Sequence, residues 1–390
     1  MRRPGPPWPN ISAAEGAAIS VPAILQVLPA LVTGGVERGT VEIAEAIQAA
    51  GWRAIVASAG GPMVAELTSL GATHVTLPLA SKSPWALWRN AAALGRVIAA
   101  EGVVLVHARS RAPAWSALWA ARRAGLPFVT TYHGAYNEGF PGKRLYNSVM
   151  ARGDRVIAVS RFIGEHLQAR HGTDPAKVRV ILRGVDPRRF DPARIDAHAI
   201  EALRRDWGTK AGEAVLLLPG RLSRWKGAGT LLAALPALPG CRVVLAGGGN
   251  PGLADEFRAE AAQRGVADRF HLAGHVADLA TALAAADLVI HASTEPEAFG
   301  RTVIEAQAMA RPVIAADLGG PRETVVEGVT GWRVPPGDPA ALVARITAVL
   351  ALPASARAGI GAAARAAVLR DTSTAAMQAA TIAVYRELLG

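Results

Sequence analysis

The chain carries one sequence pattern twice: short apolar segments alternate with longer alanine-rich segments, and the pattern restarts after a single interruption. Buried strands that alternate with helices are typical of a parallel sheet covered on both faces, so the restart indicates two such sheets. With 390 residues, the chain also exceeds what one hydrophobic core usually supports. We therefore predict an α/β protein with two parallel-sheet domains that face each other across a cleft.

The predicted strands are residues 24–29, 54–58, 74–79, 103–108, 128–132, 156–159 and 178–182, then 214–218, 242–246, 270–273, 288–291, 313–316 and 332–334. Proline, glycine and charged residues concentrate between the two groups, at residues 183–192, which predicts the interdomain connection there. The expected division is a flexible N-terminal tail (1–20), a first domain (21–186), a second domain (187–370), and a final helix (371–390) that crosses back to the first domain.

Cysteine content and hydropathy exclude several classes of protein. Cys241 is the only cysteine, so the chain can form neither an internal disulfide nor a cysteine-based metal cluster, and a reducing compartment fits. The N-terminus has two arginines followed by prolines, which is a poor signal peptide. The sequence contains no long uninterrupted apolar run that would predict a transmembrane helix. A cytoplasmic protein is expected, with peripheral contact at the inner face of the plasma membrane as an option.

The net charge of +11 lies in one half of the chain. Residues 1–190 hold 22 Lys and Arg against 11 Asp and Glu, whereas residues 191–390 hold 20 of each. A basic surface favours anionic partners such as lipid headgroups or phosphorylated glycans. Nucleic acid is not expected as a partner, because the basic residues are not interleaved with stacking aromatics.

Two carboxylates and two cations follow predicted strands of the second domain. Glu297 follows strand 288–291 and Glu305 lies early in the next helix, while Arg221 and Lys226 follow strand 214–218. Because strand ends of a parallel sheet meet at one edge, these side chains should share a ligand site. The free amides of Phe299, Gly300, Arg301 and Thr302 would add an anion site at the helix start. Alternatively, Arg221 and Lys226 are solvated surface cations, and Glu305 caps the helix or forms a salt bridge.

These residues resemble the retaining glycosyltransferases of family 4, with two Rossmann-like domains in the GT-B fold. The resemblance rests on the runs 220–227, 296–306 and 311–315, and extends to residues 33–37 and 131–134 of the first domain. It implies a nucleotide-sugar donor, with Arg221 and Lys226 on the diphosphate, Glu305 on the ribose and Glu297 beside the donor sugar. It places the backbone of His275 and Val276 at the base.

The resemblance assigns the first domain to the acceptor side. Gly34 and Gly35 would approach the donor phosphates, and His133 would contact the sugar and assist at the reacting centre. Together, Arg221, Lys226, Glu297 and His133 are the predicted catalytic residues. His107 and Arg109, at the end of strand 103–108, are candidate acceptor contacts. Alternatively, Gly34 and Gly35 form a plain turn between a strand and a helix, and His107 and His133 have structural roles.

Two features depart from this pattern or compete with it. Arg183 stands where family members often carry asparagine before Gly-Val/Ile-Asp, so a phosphate or acceptor contact there can differ. Residues 247–252 fit Gly-x-Gly-x-x-Gly by letter, but they follow the second strand of their domain rather than the first, and no acidic residue clearly ends a strand about 20 positions later. A dinucleotide site is therefore not expected.

No residue is an obvious nucleophile for double displacement, so we expect same-face substitution, in which Arg221, Lys226 and the helix amides stabilise the departing diphosphate. No Asp-x-Asp motif is present, and neither a metal nor another cofactor is expected. The predicted activity is retaining transfer of a hexose to an anionic or lipid-linked glycan of a cell-envelope polysaccharide or lipopolysaccharide. A nucleotide-sugar epimerase and an inactive glycan-binding assembly subunit remain the alternatives.

Overall fold

A computed structural model describes residues 21–32, 34–136, 139 and 142–390. The tail expected over residues 1–20 lies outside the described part of the chain. Within it, the strands form two separate sheets, and every strand pairing in both sheets is parallel. The α/β class and the two parallel-sheet domains are thus confirmed.

The first sheet has seven strands in the order β3-β2-β1-β4-β5-β6-β7. They are β1 (Ala23–Val27), β2 (Arg53–Ser58), β3 (Thr73–Thr76), β4 (Val103–Ala108), β5 (Phe128–Tyr132), β6 (Arg155–Ala158) and β7 (Val178–Val180). The helices are α1 (Gly35–Ala49), α2 (Val64–Ser69), α3 (Pro84–Glu101), α4 (Arg111–Ala124), α5 (Lys143–Asn147) and α6 (Arg161–His171). All five residues of β1 are buried, as expected for a strand covered on both faces.

The second sheet has six strands in the order β10-β9-β8-β11-β12-β13. They are β8 (Ala214–Pro219), β9 (Cys241–Ala246), β10 (Phe270–Gly274), β11 (Leu288–His291), β12 (Val313–Ala316) and β13 (Trp332–Val334). The helices are α7 (Ala197–Asp206), α8 (Ala228–Ala234), α9 (Pro251–Gln263), α10 (Leu279–Ala284), α11 (Arg301–Ala308), α12 (Pro339–Ala351), α13 (Ala354–Asp371) and α14 (Thr374–Leu389). Apolar side chains of β8, β9 and β11 pack against α8 and α12 in its core.

Prolines shorten two helices that the alanine-rich pattern extends. The alanine-rich pattern predicts one helix over residues 227–238, but α8 ends at Ala234 and the chain continues as a 3-10 turn that contains Pro236. The same pattern predicts a C-terminal region that is helical throughout from residue 339, but the structure divides it into three helices. Leu352 adopts the extended conformation (φ −63°, ψ 146°) that a residue before proline prefers, and α13 starts after Pro353.

The last helix, α14, lies against the first sheet. Its Met377, Ile382 and Tyr385 are buried in a cluster with apolar residues of β1 and α1. The Tyr385 hydroxyl is 2.6 Å from Nδ1 of His107 in β4. The segment before α14 forms a parallel bridge with the interdomain connection, between Ser373 and Val185. The chain therefore crosses between the domains twice, and the two crossings contact each other.

A second contact between the domains caps a helix. Glu323, in the second domain, accepts hydrogen bonds from the backbone amides of Arg161 and Phe162 at 2.9 Å and 2.8 Å. A carboxylate at the start of α6 satisfies free amides and interacts favourably with the helix dipole. This contact helps to fix the orientation of the two sheets.

Within the described residues, no single helix is long and apolar enough to cross a membrane. The pair α12 and α13 reaches that length and hydropathy only when both are taken together, and they are bent by 108° at their junction.

Candidate functional site

The carboxyl ends of strands from both sheets meet at one cavity of about 830 Å³. Gly34 follows β1 and His133 follows β5 on one side, while Gly220 follows β8 and Glu297 follows β11 on the other. Ten predicted site residues line it: Gly34, Gly35, His133, Arg221, Lys226, Glu297, Phe299, Gly300, Arg301 and Thr302. The cavity is large enough for a small-molecule ligand that contacts both domains.

The loop after β8 brings Arg221 and Lys226 to the cavity. Arg221 is exposed, whereas the Lys226 side chain is only 15% exposed. Gly227 ends this loop with φ 83°, and a Cβ there would lie 1.9 Å from the carbonyl oxygen of Ala292. Only glycine permits that approach, which holds the loop against the end of β11.

The glycine-rich run 247–252 supports the same loop. A Cβ on Gly247 would lie 1.9 Å from the Gly220 carbonyl oxygen, and one on Gly249 would lie 2.6 Å from the Leu222 Cβ. Leu222 and Gly249 also form a parallel bridge. These glycines therefore serve close packing between two loops of the second domain.

Glu297 is the centre of a compact hydrogen-bond network. Its Oε1 atom accepts a hydrogen bond from Lys226 Nζ at 2.6 Å, lies 2.7 Å from His291 Nε2 and accepts another from the Ser293 hydroxyl. Burial alone would raise the pKa of Glu297, but His291 and Lys226 outweigh it and hold this pKa well below the usual range. The carboxylate is therefore ionised and fixed in position at neutral pH.

The helix α11 begins at the cavity wall. Gly300, which precedes it, has φ 84°, and a Cβ there would lie 2.7 Å from Pro321 Cγ. Because the first amides of a helix have no partner within the helix, the start of α11 offers N–H donors and the positive end of the helix dipole to the cavity.

Glu305 does not line the cavity. It is buried, and its Oε1 lies 3.4 Å from Nε of Arg301, one turn earlier in α11. Burial raises the pKa of Glu305, and nearby arginines oppose this rise only in part. The structure thus shows the salt bridge that was the structural alternative, and the ribose contact stays a prediction.

His133 lies in the cavity wall with its ring half-buried. Its Nδ1 is 3.5 Å from Nη1 of Arg183. Its Nε2 has no hydrogen-bond partner among the described residues. Burial and the positive charges of Arg183 and Arg109 hold the pKa of His133 well below its ordinary value. The imidazole is therefore neutral at neutral pH.

Arg183 was noted from sequence only as a departure from the family pattern, yet it lines the cavity. It is 5% exposed, and its guanidinium donates a hydrogen bond to the Gly35 carbonyl oxygen. Burial and the nearby Arg301 and Arg109 lower the pKa of Arg183 to about 9. It is still charged at neutral pH, so the cavity wall carries a cation in an environment that disfavours it.

The structure does not place His107 and Arg109 at the cleft cavity, and their contact with an acceptor stays a prediction. The His107 ring is fully buried, with Nδ1 2.6 Å from the Tyr385 hydroxyl and Nε2 2.7 Å from the Thr131 hydroxyl. Arg109 is 2% exposed and lies beneath Gly39, where a Cβ would approach its Nη2 to 2.9 Å. Neither side chain lines the cleft cavity, so both have structural positions.

His275 and Val276 do not line the cleft cavity either. They lie at a neighbouring cavity of about 600 Å³, beside α7 and α10. Their contact with a nucleotide base stays a prediction.

Sequence reasoning assigned no role to five residues of the cavity wall and the Glu297 network: Glu37, Arg183, Trp225, His291 and Ser293. Glu37 and Trp225 lie in motifs that carry the resemblance, and Arg183 departs from one, whereas His291 and Ser293 had no sequence signal.

The parts of the chain that the structure describes contain no group of three or more His, Cys, Asp and Glu side chains that could hold a metal ion. The expectation of no metal and no other cofactor stays a prediction.

Solved structures define the class to which this arrangement belongs. A glycosyltransferase from Rickettsia africae ESF-5 has a TM-score of 0.86 and 35% identity, and the match covers 95% of this chain and 99% of that one. Anabaena HepE in complex with UDP and glucose has a TM-score of 0.82 and 26% identity, covering 94% and 99%. Two facing parallel-sheet domains with a shared cleft are the GT-B fold.

Family models identify the family. Residues 33–189 match Glycosyltransferase Family 4, and residues 199–367 match Glycosyl transferases group 1. The chain therefore belongs to glycosyltransferase family 4, as the motifs of both domains indicated.

Curated relatives cover less of the chain. The D-inositol 3-phosphate glycosyltransferase of Xylanimonas cellulosilytica is 37% identical over 238 residues, which is 59% of this chain and 57% of that protein. The protein of the same description from Segniliparus rotundus is 35% identical over 267 residues, which is 62% and 58%. The chain thus spans less than two thirds of the length of these relatives.

Proposed function

We propose that the protein transfers a hexose from a nucleotide-sugar donor to an acceptor with retention of the anomeric configuration. The observation that carries this proposal is the cleft cavity. There Arg221, Lys226 and the amides at the start of α11 converge opposite Gly34 and Gly35. A diphosphate needs this combination of a bidentate cation, a compact cation and backbone donors.

A uridine diphosphate sugar is the first donor to test. Anabaena HepE, which shares the fold and 25–26% identity, has been solved with UDP and glucose and with UDP-glucose. In our proposal, the diphosphate lies against Arg221 and Lys226, and the sugar lies beside Glu297 and His133. The ribose contact of Glu305 requires its carboxylate to exchange Arg301 for a ligand hydroxyl.

The proposed mechanism is same-face substitution. Arg221, Lys226 and the α11 amides stabilise the negative charge that develops on the departing diphosphate, and a phosphate oxygen accepts the proton of the acceptor hydroxyl. Glu297 is unsuited to protonate a leaving group, because its pKa is held well below the usual range. Its fixed, ionised carboxylate can instead accept hydrogen bonds from sugar hydroxyls.

We propose an anionic or lipid-linked glycan as the acceptor, used in the cytoplasm at the inner membrane face, in assembly of a cell-envelope polysaccharide or lipopolysaccharide. The basic first half of the chain supports this, with 22 Lys and Arg against 11 Asp and Glu over residues 1–190. Two relatives are described as D-inositol 3-phosphate glycosyltransferases, and the compound in that description is phosphorylated. The buried Arg183 is the cleft cation that a phosphate on the acceptor would contact.

The test is incubation of the protein with a labelled nucleotide sugar, with and without inositol phosphate or lipid-linked glycan acceptors. We expect acceptor-dependent release of the nucleoside diphosphate, and NMR of the product should show the anomeric configuration of the donor. Conversion of the donor sugar without any acceptor would instead identify an epimerase. Tight donor or glycan binding without turnover would identify an inactive subunit.

A further inference from the structure

Tryptophans concentrate on one exposed surface of the first domain. Of the eight tryptophans in the described part of the chain, only three are exposed: Trp85 at 65%, Trp88 at 67% and Trp119 at 42%. The first two lie in the opening turns of α3 and the third lies in α4. Most tryptophans are largely buried in folded proteins, so three exposed ones on adjacent helices need an explanation.

The two helices that carry these rings pack against each other. The Ser116 hydroxyl of α4 donates a hydrogen bond to the Leu87 carbonyl oxygen of α3 at 2.8 Å, which holds the N-terminal halves of the two helices in contact. Trp115, half-buried on α4, lies 6.0 Å from Trp119 between ring centroids. We call the surface formed by Trp85, Trp88, Trp115 and Trp119 the tryptophan face.

Cations surround the tryptophan face. The guanidinium of Arg89 lies 4.5 Å from the Trp85 ring centroid, and that of Arg152 lies 5.0 Å from the Trp115 ring centroid. Lys82 is exposed immediately before α3. Glu101 is at the opposite end of α3, where it pairs with Arg53 at 3.0 Å.

The excess of positive charge extends through the surrounding sequence. Residues 67–153 contain ten Lys and Arg but only two Asp and Glu. Much of the charge imbalance of the first half therefore lies in the segment of the chain that carries these four tryptophans. An uncharged or basic partner would not require this excess, whereas anionic headgroups complement it.

We infer that the tryptophan face docks onto a bilayer that contains anionic phospholipid. Tryptophan rings favour the level of the headgroups, where the ring is partly in hydrocarbon and the N–H stays near water. Lysine and arginine beside them pair with phosphate and keep their stems along the apolar surface. The combination of exposed tryptophans with flanking cations is the chemistry of an interfacial membrane contact.

The position of the tryptophan face relates docking to catalysis. Helices that follow parallel strands begin at the edge where the strands end, so the first turns of α3 and α4 lie at the carboxyl edge of the first sheet. The same edge supplies Gly34 and His133 to the cleft cavity. Docking there would hold the acceptor side of the cleft near the bilayer surface. This relation to the acceptor rests on the proposed function, but membrane binding itself does not.

The test is sedimentation of the full chain with sucrose-loaded vesicles of phosphatidylcholine alone or mixed with phosphatidylglycerol, without donor or acceptor. We expect binding only to the anionic vesicles. The double variant W85A/W88A should lose at least about tenfold in partitioning, because two large apolar side chains no longer enter the interface. K82E/R89E should lose at least a similar factor through charge.

Two matched controls separate this surface from general effects. V326A/V329A removes exposed apolar side chains of the second domain, which are 54% and 53% exposed, and R205E/R258E reverses exposed charges there. Both should bind anionic vesicles like the wild type. Because Trp85 and Trp88 are exposed, W85A/W88A should keep the wild-type Tm and the wild-type thermal shift with a nucleotide sugar.

Equal vesicle binding by W85A/W88A and the wild type would overturn the inference. Equal binding of the wild type to neutral vesicles would overturn it too, as would binding of a short RNA without binding to any vesicle. Failure of the vesicle test would leave the donor-induced thermal shift in place, whereas failure of the proposed function would remove that shift and leave vesicle binding.

Discussion

At the scale of single residues, the cleft is organised around one carboxylate oxygen. Lys226, His291 and Ser293 all contact Oε1 of Glu297, in a site where the Lys226 and Glu297 side chains are only 15% and 12% exposed. Lys226 consequently has two roles, since it neutralises a nearly buried carboxylate and faces the position proposed for the diphosphate. Arg221 is exposed and has only the second role.

This difference predicts a contrast between two alanine variants. Lys226→Ala should lower the stability by about 2–4 kcal/mol, since it leaves a nearly buried carboxylate without its cation. It should also abolish turnover. Arg221→Ala should leave the free energy of unfolding within about 0.5 kcal/mol of the wild-type value, as for other exposed positions, while it weakens donor binding and turnover. Denaturant unfolding and donor titration of both variants measure the contrast, and equal stability of the two would contradict it.

The stability lost in Lys226→Ala should depend on pH. Lys226 helps to hold the pKa of Glu297 below its unfolded value, so its contribution is fully present above the ordinary carboxyl pKa of about 4.3. This contribution to stability is lost as the pH falls through the pKa that Glu297 has in the folded protein. The Tm difference between wild type and variant should therefore be greatest near neutral pH and narrow in acid. A difference that grows in acid would contradict this account.

Arg183 offers a second prediction at this scale. Arg183→Asn restores the residue type common in the family and removes a cation that burial and two neighbouring arginines disfavour. We expect an unchanged or higher Tm, together with a loss of about tenfold in affinity for a phosphorylated acceptor. Thermal melts and steady-state kinetics with phosphorylated and neutral acceptors test it. An equal loss for both acceptors would argue against a charge-specific role.

The residues that sequence reasoning placed correctly in the cleft share one property. Arg221, Lys226 and Glu297 follow predicted strands, and parallel topology alone gathers such positions at one edge. His107 also ends a strand, but its environment is set by Tyr385, which is 278 positions away. Strand-end position cannot reveal a partner of that kind, because it depends on where the last helix packs.

At the scale of elements, the start of α11 is set by a glycine that no other residue can replace without strain. Gly300→Ala would combine φ 84° with a Cβ only 2.7 Å from Pro321 Cγ. We expect a loss of about 2–3 kcal/mol in stability and weaker donor binding, since the helix amides must shift. The matched control is Gly265→Ala, which has φ 69° but no atom within 4 Å of the added Cβ.

Gly265→Ala should cost only about 1 kcal/mol, the price of the left-handed conformation, and leave donor binding unchanged. Chemical unfolding and donor titration of both glycine variants provide the comparison. If the two variants lose equal stability and equal affinity, the close packing at Gly300 does not position the α11 amides.

The helices and strands were predictable because their signals lie in neighbouring residues of the sequence. These signals are the period of the apolar pattern and the glycines and prolines that end each element. The strands of both sheets were predicted to within a few residues. The breaks at Pro236 and Pro353 were missed, although each proline has a local mechanism, because the alanine-rich flanks carry a strong helical pattern on both sides. Short helices such as α2 and α5 have too few residues for a periodic signal.

At the scale of the whole molecule, the final helix fastens the second domain to the first. Tyr385 is fully buried, and its hydroxyl lies 2.6 Å from His107 in the first sheet. Tyr385→Phe keeps the ring and leaves the His107 nitrogen without this partner. We expect a loss of about 1–3 kcal/mol, the usual cost of an unsatisfied buried polar group. Differential scanning calorimetry would measure it, and an unchanged Tm would show that this contact does not contribute to interdomain stability.

The central claim at this scale is that the cleft between the two sheets binds a nucleotide sugar. The most direct measurement is a thermal-shift screen of the wild type, Arg221→Ala and R205E/R258E against uridine, guanosine and adenosine diphosphate sugars. We predict that at least one nucleotide sugar raises the Tm of the wild type and of R205E/R258E but not that of Arg221→Ala. No shift of the wild type with any donor, or an equal shift in Arg221→Ala, would contradict the claim.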